Sequence, residues 1–155
     1  MDKELLRVAE FLASGEQELP QEARRRRAVS TAYYAVFHAL AGRCASTLVT
    51  YRGSDWATYS LAYRALDHKA AKQLFEARNI EAEYGAEVAT LAQAFVNLQQ
   101  ARITADYTPP TRFPYGKTAV AEFVEQARNA CQIVAKIPVV QMRRLAAQLI
   151  LKRRG

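Results

Sequence analysis

The sequence predicts an all-α protein: an antiparallel, up-and-down bundle of five main helices followed by a basic C-terminal helix. Three observations lead there. Apolar residues recur at three- and four-residue spacing through most of the chain. No segment sustains the period-two alternation of a half-buried strand. The prolines and most glycines fall between the periodic segments, where connections belong. With 155 residues and half of them hydrophobic, the chain suits one domain with a core of its own.

The first helix covers residues 3–13, where Leu5, Leu6, Ala9 and Leu12 share a face, and Gly15 ends it. The second starts near Pro20 and runs to Leu48, with a bend expected at Gly42. Proline suits a first turn, and Glu22 suits the positive end of the helix dipole. Residues 49–55, with Gly53 and Ser54, read as a loop. A third helix is expected over Trp56–Ala77, with Leu66, Ala70 and Leu74 in register, and a polar gap at 79–85.

The fourth helix covers 86–104, on the stripe Val88, Leu91, Phe95 and Leu98. Three prolines and a glycine then exclude regular helix from residues 105–117. The fifth covers 117–136, with Val120, Phe123, Ala127, Cys131 and Val134 inward. Pro138 breaks the chain and starts the last helix, whose stripe is Val139, Met142, Ala146 and Leu149. Residues 1–137 therefore read as the bundle and 138–155 as a basic helix or tail. A terminal helix after such a break, apolar on one side and basic on the other, is of the kind that stands apart and docks on a partner.

The N-terminus, MDKELLRVAE, carries acids and no apolar run, so no signal peptide is expected. No stretch approaches the ~20 apolar residues of a membrane span, and a cytoplasmic protein is expected. Cys44 and Cys131 do not form a Cys-x-x-Cys pair and read as buried thiols. The two histidines lie on different helices and give no zinc spacing, so no metal is expected. Nor do Walker, Rossmann or Gly-x-Ser-x-Gly patterns occur, and no cofactor is expected.

The net charge is +7, and its placement is uneven. Residues 139–155 hold Arg143, Arg144, Lys152, Arg153 and Arg154 and no acid. A second cluster is Arg24–Arg27. Guanidinium forks suit phosphate, while a solvated helix face explains the same charges without a ligand. Arg27, Thr31, Tyr34 and His38 are spaced i, i+4, i+7, i+11 and share a face. They form either a hydrogen-bonded core edge or a cleft wall that meets a phosphate or a base. Arg102, Asp106 and Tyr107 form a second constellation at the end of helix four. A helix-ending arginine beside a turn-forming aspartate explains them equally. Arg64 and His68, at i, i+4, form a weaker third.

Three of these stretches resemble small prokaryotic HEPN-domain proteins. RRAVSTAYYAVFHALAG (26–42) is similar to their second helix, with its arginine pair, Ser-x-Ala-Tyr-Tyr-Ala run and nearby histidine. HKAAKQLF (68–75) is similar to their histidine-led stretch, and ARITADY (101–107) to their Arg-x-x-Ala-Asp-Tyr motif. The order is the family's, over about residues 3–136. The resemblance implies a dimerising helical bundle in a toxin–antitoxin or defence setting, often beside a minimal nucleotidyltransferase partner. Many such proteins are metal-independent endoribonucleases, in which an arginine is followed, after four to six intervening residues, by a histidine. Two such motifs face each other across the dimer.

This chain departs from that pattern. Arg102 matches the arginine, but Tyr107 and Pro109 stand at the limits of the window and no histidine lies between. Cleavage by a neighbouring 2′-hydroxyl needs a base and a group that stabilises phosphorane charge. Arginine supplies the second. Tyrosine, with a pKa near 10, is a poor base at neutral pH. Losing one general acid–base contribution costs about 10²–10⁴ in rate. The first expectation is thus an RNA- or nucleotide-binding module of weak or no ribonuclease activity. Its candidate site residues are Arg102, Asp106, Tyr107, His38 and His68, with phosphate contacts at Arg26, Arg27, Tyr34, Arg143 and Arg144. An active endoribonuclease using His38 or His68, and a non-catalytic protein-interaction scaffold whose basic tail does the binding, are the alternatives.

Overall fold

The computed structural model describes residues 1–15, 20–49, 55–77 and 79–151. The described residues form seven helices and no strand: α1 (Asp2–Ser14), α2 (Gln21–Leu48), α3 (Trp56–Arg64), α4 (His68–Phe75), α5 (Ile80–Tyr107), α6 (Lys117–Lys136) and α7 (Val139–Ile150). The all-α expectation holds. Most of the expected 49–55 loop, Gly53 and Ser54 included, and the tail residues Lys152, Arg153 and Arg154 lie outside the described residues.

α2 is the central helix, about 42 Å long, and it continues unbroken through Gly42. It packs against α1, α3, α5, α6 and α7. Its buried face is rich in alanine, which lets neighbouring helices approach closely. α1 ends at Gly15, whose φ of 85° is left-handed, and the Arg24 guanidinium packs against that glycine.

The expected helix over 56–77 is two helices. Asp67 stops α3 from continuing: its carboxylate accepts from the backbone N–H groups of Lys69 and Ala70, at 3.0 and 2.8 Å, and starts α4. Asp55 starts α3 in the same way, accepting from Thr58 N–H. The expected gap at 79–85 is also partly helical. Ile80–Tyr84 form a first turn that buries Ile80 and Tyr84, and Gly85 breaks it from the rest of α5 with a φ of 83°. α5 then continues three residues beyond 104, so Asp106 and Tyr107 are helical rather than part of a turn.

One core joins the helices. Val88, Leu91, Phe95 and Leu98 of α5 are buried as expected, against Tyr33, Val36 and Leu40 of α2 and Val124 and Val134 of α6. α7 does not stand apart. Met142, Leu145 and Ala146 are fully buried in this same core, while Val139 at its start is exposed. A smaller cluster, Ala28, Val29, Ala101, Ala105 and Val120, packs under Phe113 and Tyr115 of the proline-rich loop. That loop is strapped down by one side chain. Arg26 donates from Nη1 to the carbonyls of Ala105 and Thr108, from Nη2 to that of Pro109, and from Nε and Nη2 to the Glu22 carboxylate. Among the described residues no helix is long and apolar enough to cross a membrane.

Candidate nucleic-acid site

The C-terminal end of α5 lies beside the polar stripe of α2. Arg102 makes the junction: its Nη2 donates to the Tyr34 hydroxyl at 2.7 Å, and its Nε lies 2.8 Å from Asp106 Oδ2. The other Asp106 oxygen accepts from Ser30 Oγ at 2.5 Å. Arg102 also sits over the Tyr34 ring, 5.4 Å from its centre, and 6.0 Å from that of Tyr107. A groove of about 470 Å³ opens at this junction, lined by Arg27, Ser30, Thr31, Tyr34 and Asp106 among others. Arg27 is exposed there, with no hydrogen-bond or ion-pair partner among the described residues. Tyr34 accepts from Arg102, which leaves its own O–H free to donate.

Both histidines reach this neighbourhood. His68, the first residue of α4, stacks on Phe37 at 3.9 Å, and its Nδ1 meets the Tyr33 hydroxyl at 2.6 Å. His38 Nδ1 meets the Tyr63 hydroxyl at 2.5 Å, and the two rings stack. The Tyr34 ring lies 6.3 Å from each imidazole. Burial pushes the Tyr33 hydroxyl well above the ordinary tyrosine range, so it keeps its proton. We assign that proton as donated to His68 Nδ1, which places the ring's own hydrogen on Nε2. In that tautomer Nε2 donates and does not accept.

The pKa values of both imidazoles are lowered. For His68 the causes are burial and then the Arg102 charge; for His38 they are burial and then the chain's amino terminus. Both are neutral at pH 7. The unfolded chain protonates near 6.5, above either folded value. Stability is therefore present above pH 6.5 and declines as pH falls through the folded values. The urea midpoint is expected to be lower at pH 5.5 than at 7.5. An unchanged or higher midpoint at pH 5.5 contradicts this assignment.

Three expected phosphate contacts, Arg26, Arg143 and Arg144, differ from Arg27 in their surroundings, although Arg26 also lines the groove. Arg26 has five N–H donors, and protein acceptors take all five, so it is a strap and not an anion grip. Its ring neighbour is Phe113, 4.8 Å away. Arg144 lies over the Tyr84 ring at 5.4 Å and 3.7 Å from Glu83, at the opposite end of α5. The rise from Ala86 to Arg102 is about 24 Å, so neither Arg144 nor the adjacent, exposed Arg143 joins the Arg102 site. Tyr107, 73% exposed, flanks the site without hydrogen-bonding into it. Sequence reasoning missed Tyr63, which holds His38. The sequence separates the two by 25 positions, across the connection between α2 and α3.

Among the described residues, no group of three or more His, Cys, Asp or Glu side chains could hold a metal ion. Comparison of the chain with protein-family models, with curated proteins and with solved structures finds no match.

Proposed function

We propose that this chain is a HEPN-like module that binds RNA or a nucleotide in the groove between α2 and α5, with weak or no ribonuclease activity. The observation that carries the reading is the Arg102–Tyr34 hydrogen bond, which brings the arginine of one motif onto the stripe of another. Arg27, Thr31 and the Tyr34 hydroxyl supply donors for a phosphate, and Asp106 supplies an acceptor for a ribose hydroxyl. Arg102 is partly neutralised by Asp106, so Arg27 brings the uncompensated charge.

Weak catalysis follows from the tautomer argued above. The only imidazoles near Arg102 are neutral and engaged through Nδ1, and the motif position offers Tyr107. The reading includes an up-and-down helical order, a homodimer, and a toxin–antitoxin or defence setting with a minimal nucleotidyltransferase partner. A second reading, an active endoribonuclease, draws support from His68 lying close enough to feel the Arg102 charge.

Filter binding of RNA across salt concentrations tests the first reading. Arg27→Ala is expected to weaken binding about tenfold at low salt, the loss of one charge-assisted contact. It should also flatten the slope of log affinity against log salt by about 0.7. No affinity at low salt, or affinity indifferent to Arg102→Ala, defeats the proposal. RNA incubated with EDTA should stay essentially intact. Cleavage that leaves 2′,3′-cyclic phosphate ends and disappears in His68→Ala would install the second reading instead.

A further inference from the structure

We propose that a row of aromatic rings running from α3 to the groove is a platform on which unpaired bases of a single-stranded RNA stack. The proposal rests on the reading of the groove as an RNA site, and adds a surface outside the three motifs. Trp56, Tyr59 and Tyr63 are spaced i, i+3, i+7 and share one face of α3, a helix with no buried residue. The Trp56 and Tyr59 rings stack at 5.5 Å, with 22° between their planes, and Tyr59 and Tyr63 follow at 6.1 Å. Tyr63 stacks on His38 at 5.9 Å, and His38 leads to Tyr34 at 6.3 Å. There the row meets Arg102, and Tyr107 lies beyond it. Three helices thus contribute to one continuous track. Its two ends are its most open points: Trp56 is 63% exposed and Tyr107 73%.

Such a track selects by strandedness. Every base has a π-face, so a row of rings accepts unpaired bases of any sequence. A duplex keeps its bases stacked on each other and offers the rings only its backbone and groove edges. A mononucleotide fills the groove and does not reach Trp56, which three rings separate from Tyr34.

The charges beside the row nearly balance. Asp55 precedes Trp56, and Arg64 follows Tyr63. Asp2 and the amino terminus of α1 both act on His38, and Asp67 acts on His68. Attraction for phosphate is concentrated at Arg27 and Arg102, and stacking provides the rest. Two phosphate contacts on a single strand give a shallow salt slope of about −1.4.

Trp56 is the chain's one tryptophan, so its emission reports on the platform directly. The probes are a ten-nucleotide RNA of mixed sequence, the duplex of that RNA with its complement, and AMP. The single strand is expected to quench Trp56 emission, while the duplex and AMP leave it unchanged. Trp56→Ala should weaken single-strand binding at least about fivefold, the low end for one stacked base. Trp56→Phe should recover most of that loss. Leu61→Ala, on the same helix and as exposed as Trp56, should change nothing. RNA held through Arg102 with neither quenching nor loss in Trp56→Ala overturns the platform and leaves the groove reading intact. Equal quenching by the duplex also overturns the platform. If the RNA binds at no salt concentration, both proposals fall.

Discussion

Ending the chain at Ile137 is expected to abolish cooperative thermal unfolding. α7 places Met142, Leu145 and Ala146 in the core with no exposed surface, and Leu149 with little. Removing one large buried side chain costs about 2–5 kcal/mol, and three go together here. Domains of this size are stable by only about 5–15 kcal/mol, so the loss matches the whole margin. The cut also strands a partner, the Tyr84 carbonyl, to which Gln141 donates at 2.5 Å. Circular dichroism during heating checks the expectation. A truncated chain that melts sharply, within a few degrees of the full chain, contradicts it. The alternative in which a separable basic tail does all the binding therefore cannot be tested by deleting residues 139–155. The deletion would remove the fold with the tail, and reversing charge at the exposed Arg143 is the cleaner variant.

That helix shows which features were legible in the sequence and which were not. Its stripe of Val139, Met142, Ala146 and Leu149 was readable, and all but the exposed Val139 are buried. Its place was not, because the proline break and clustered cations look alike on a docked helix and a free one. The stripe Val88, Leu91, Phe95 and Leu98 of α5 was legible in the same way. The stripe Leu66, Ala70 and Leu74 was not: Ala70 is exposed and Leu74 half-buried, and Ala71 and Phe75 face the core instead. The break between α3 and α4 was missed although Asp67 signals it. An aspartate inside an otherwise periodic segment competes for the backbone N–H groups that follow it, and here it won.

The site divides in the same way. The face shared by Arg27, Thr31, Tyr34 and His38 follows from helical geometry alone. That Arg102 would bond to Tyr34 depends on how α5 docks on α2, which no local pattern encodes. Adjacent arginines show the point most clearly. Arg26 and Arg27 are adjacent in sequence and both line the groove, yet Arg26 spends its donors on Glu22 and the end of α5 while Arg27 keeps its own for the groove. A residue step around a helix is about 100°, enough to separate a structural role from a ligand-facing one.

Arg26→Met provides the sharpest test of that division. The substitution keeps much of the apolar stem and removes the fork. The carbonyls of Ala105, Thr108 and Pro109 then lose their shared donor. An unmet carbonyl costs about 1–3 kcal/mol when shielded from water, and these are only partly shielded. A total of about 2–4 kcal/mol is expected, or a Tm about 5–15 °C lower for a chain of this length. The Phe113 ring also loses its cation, so the loop between α5 and α6 should loosen before the core does. Trypsin should then cut after Arg112 faster than in the unaltered chain. Arg27→Met, one residue along and facing the groove, should leave both Tm and cutting nearly unchanged while weakening RNA binding. Equal loss of Tm in the two variants would mean that the strap contributes nothing special. Weaker RNA binding in Arg26→Met, at a temperature where it is fully folded and its loop uncut, would restore that arginine to the ligand.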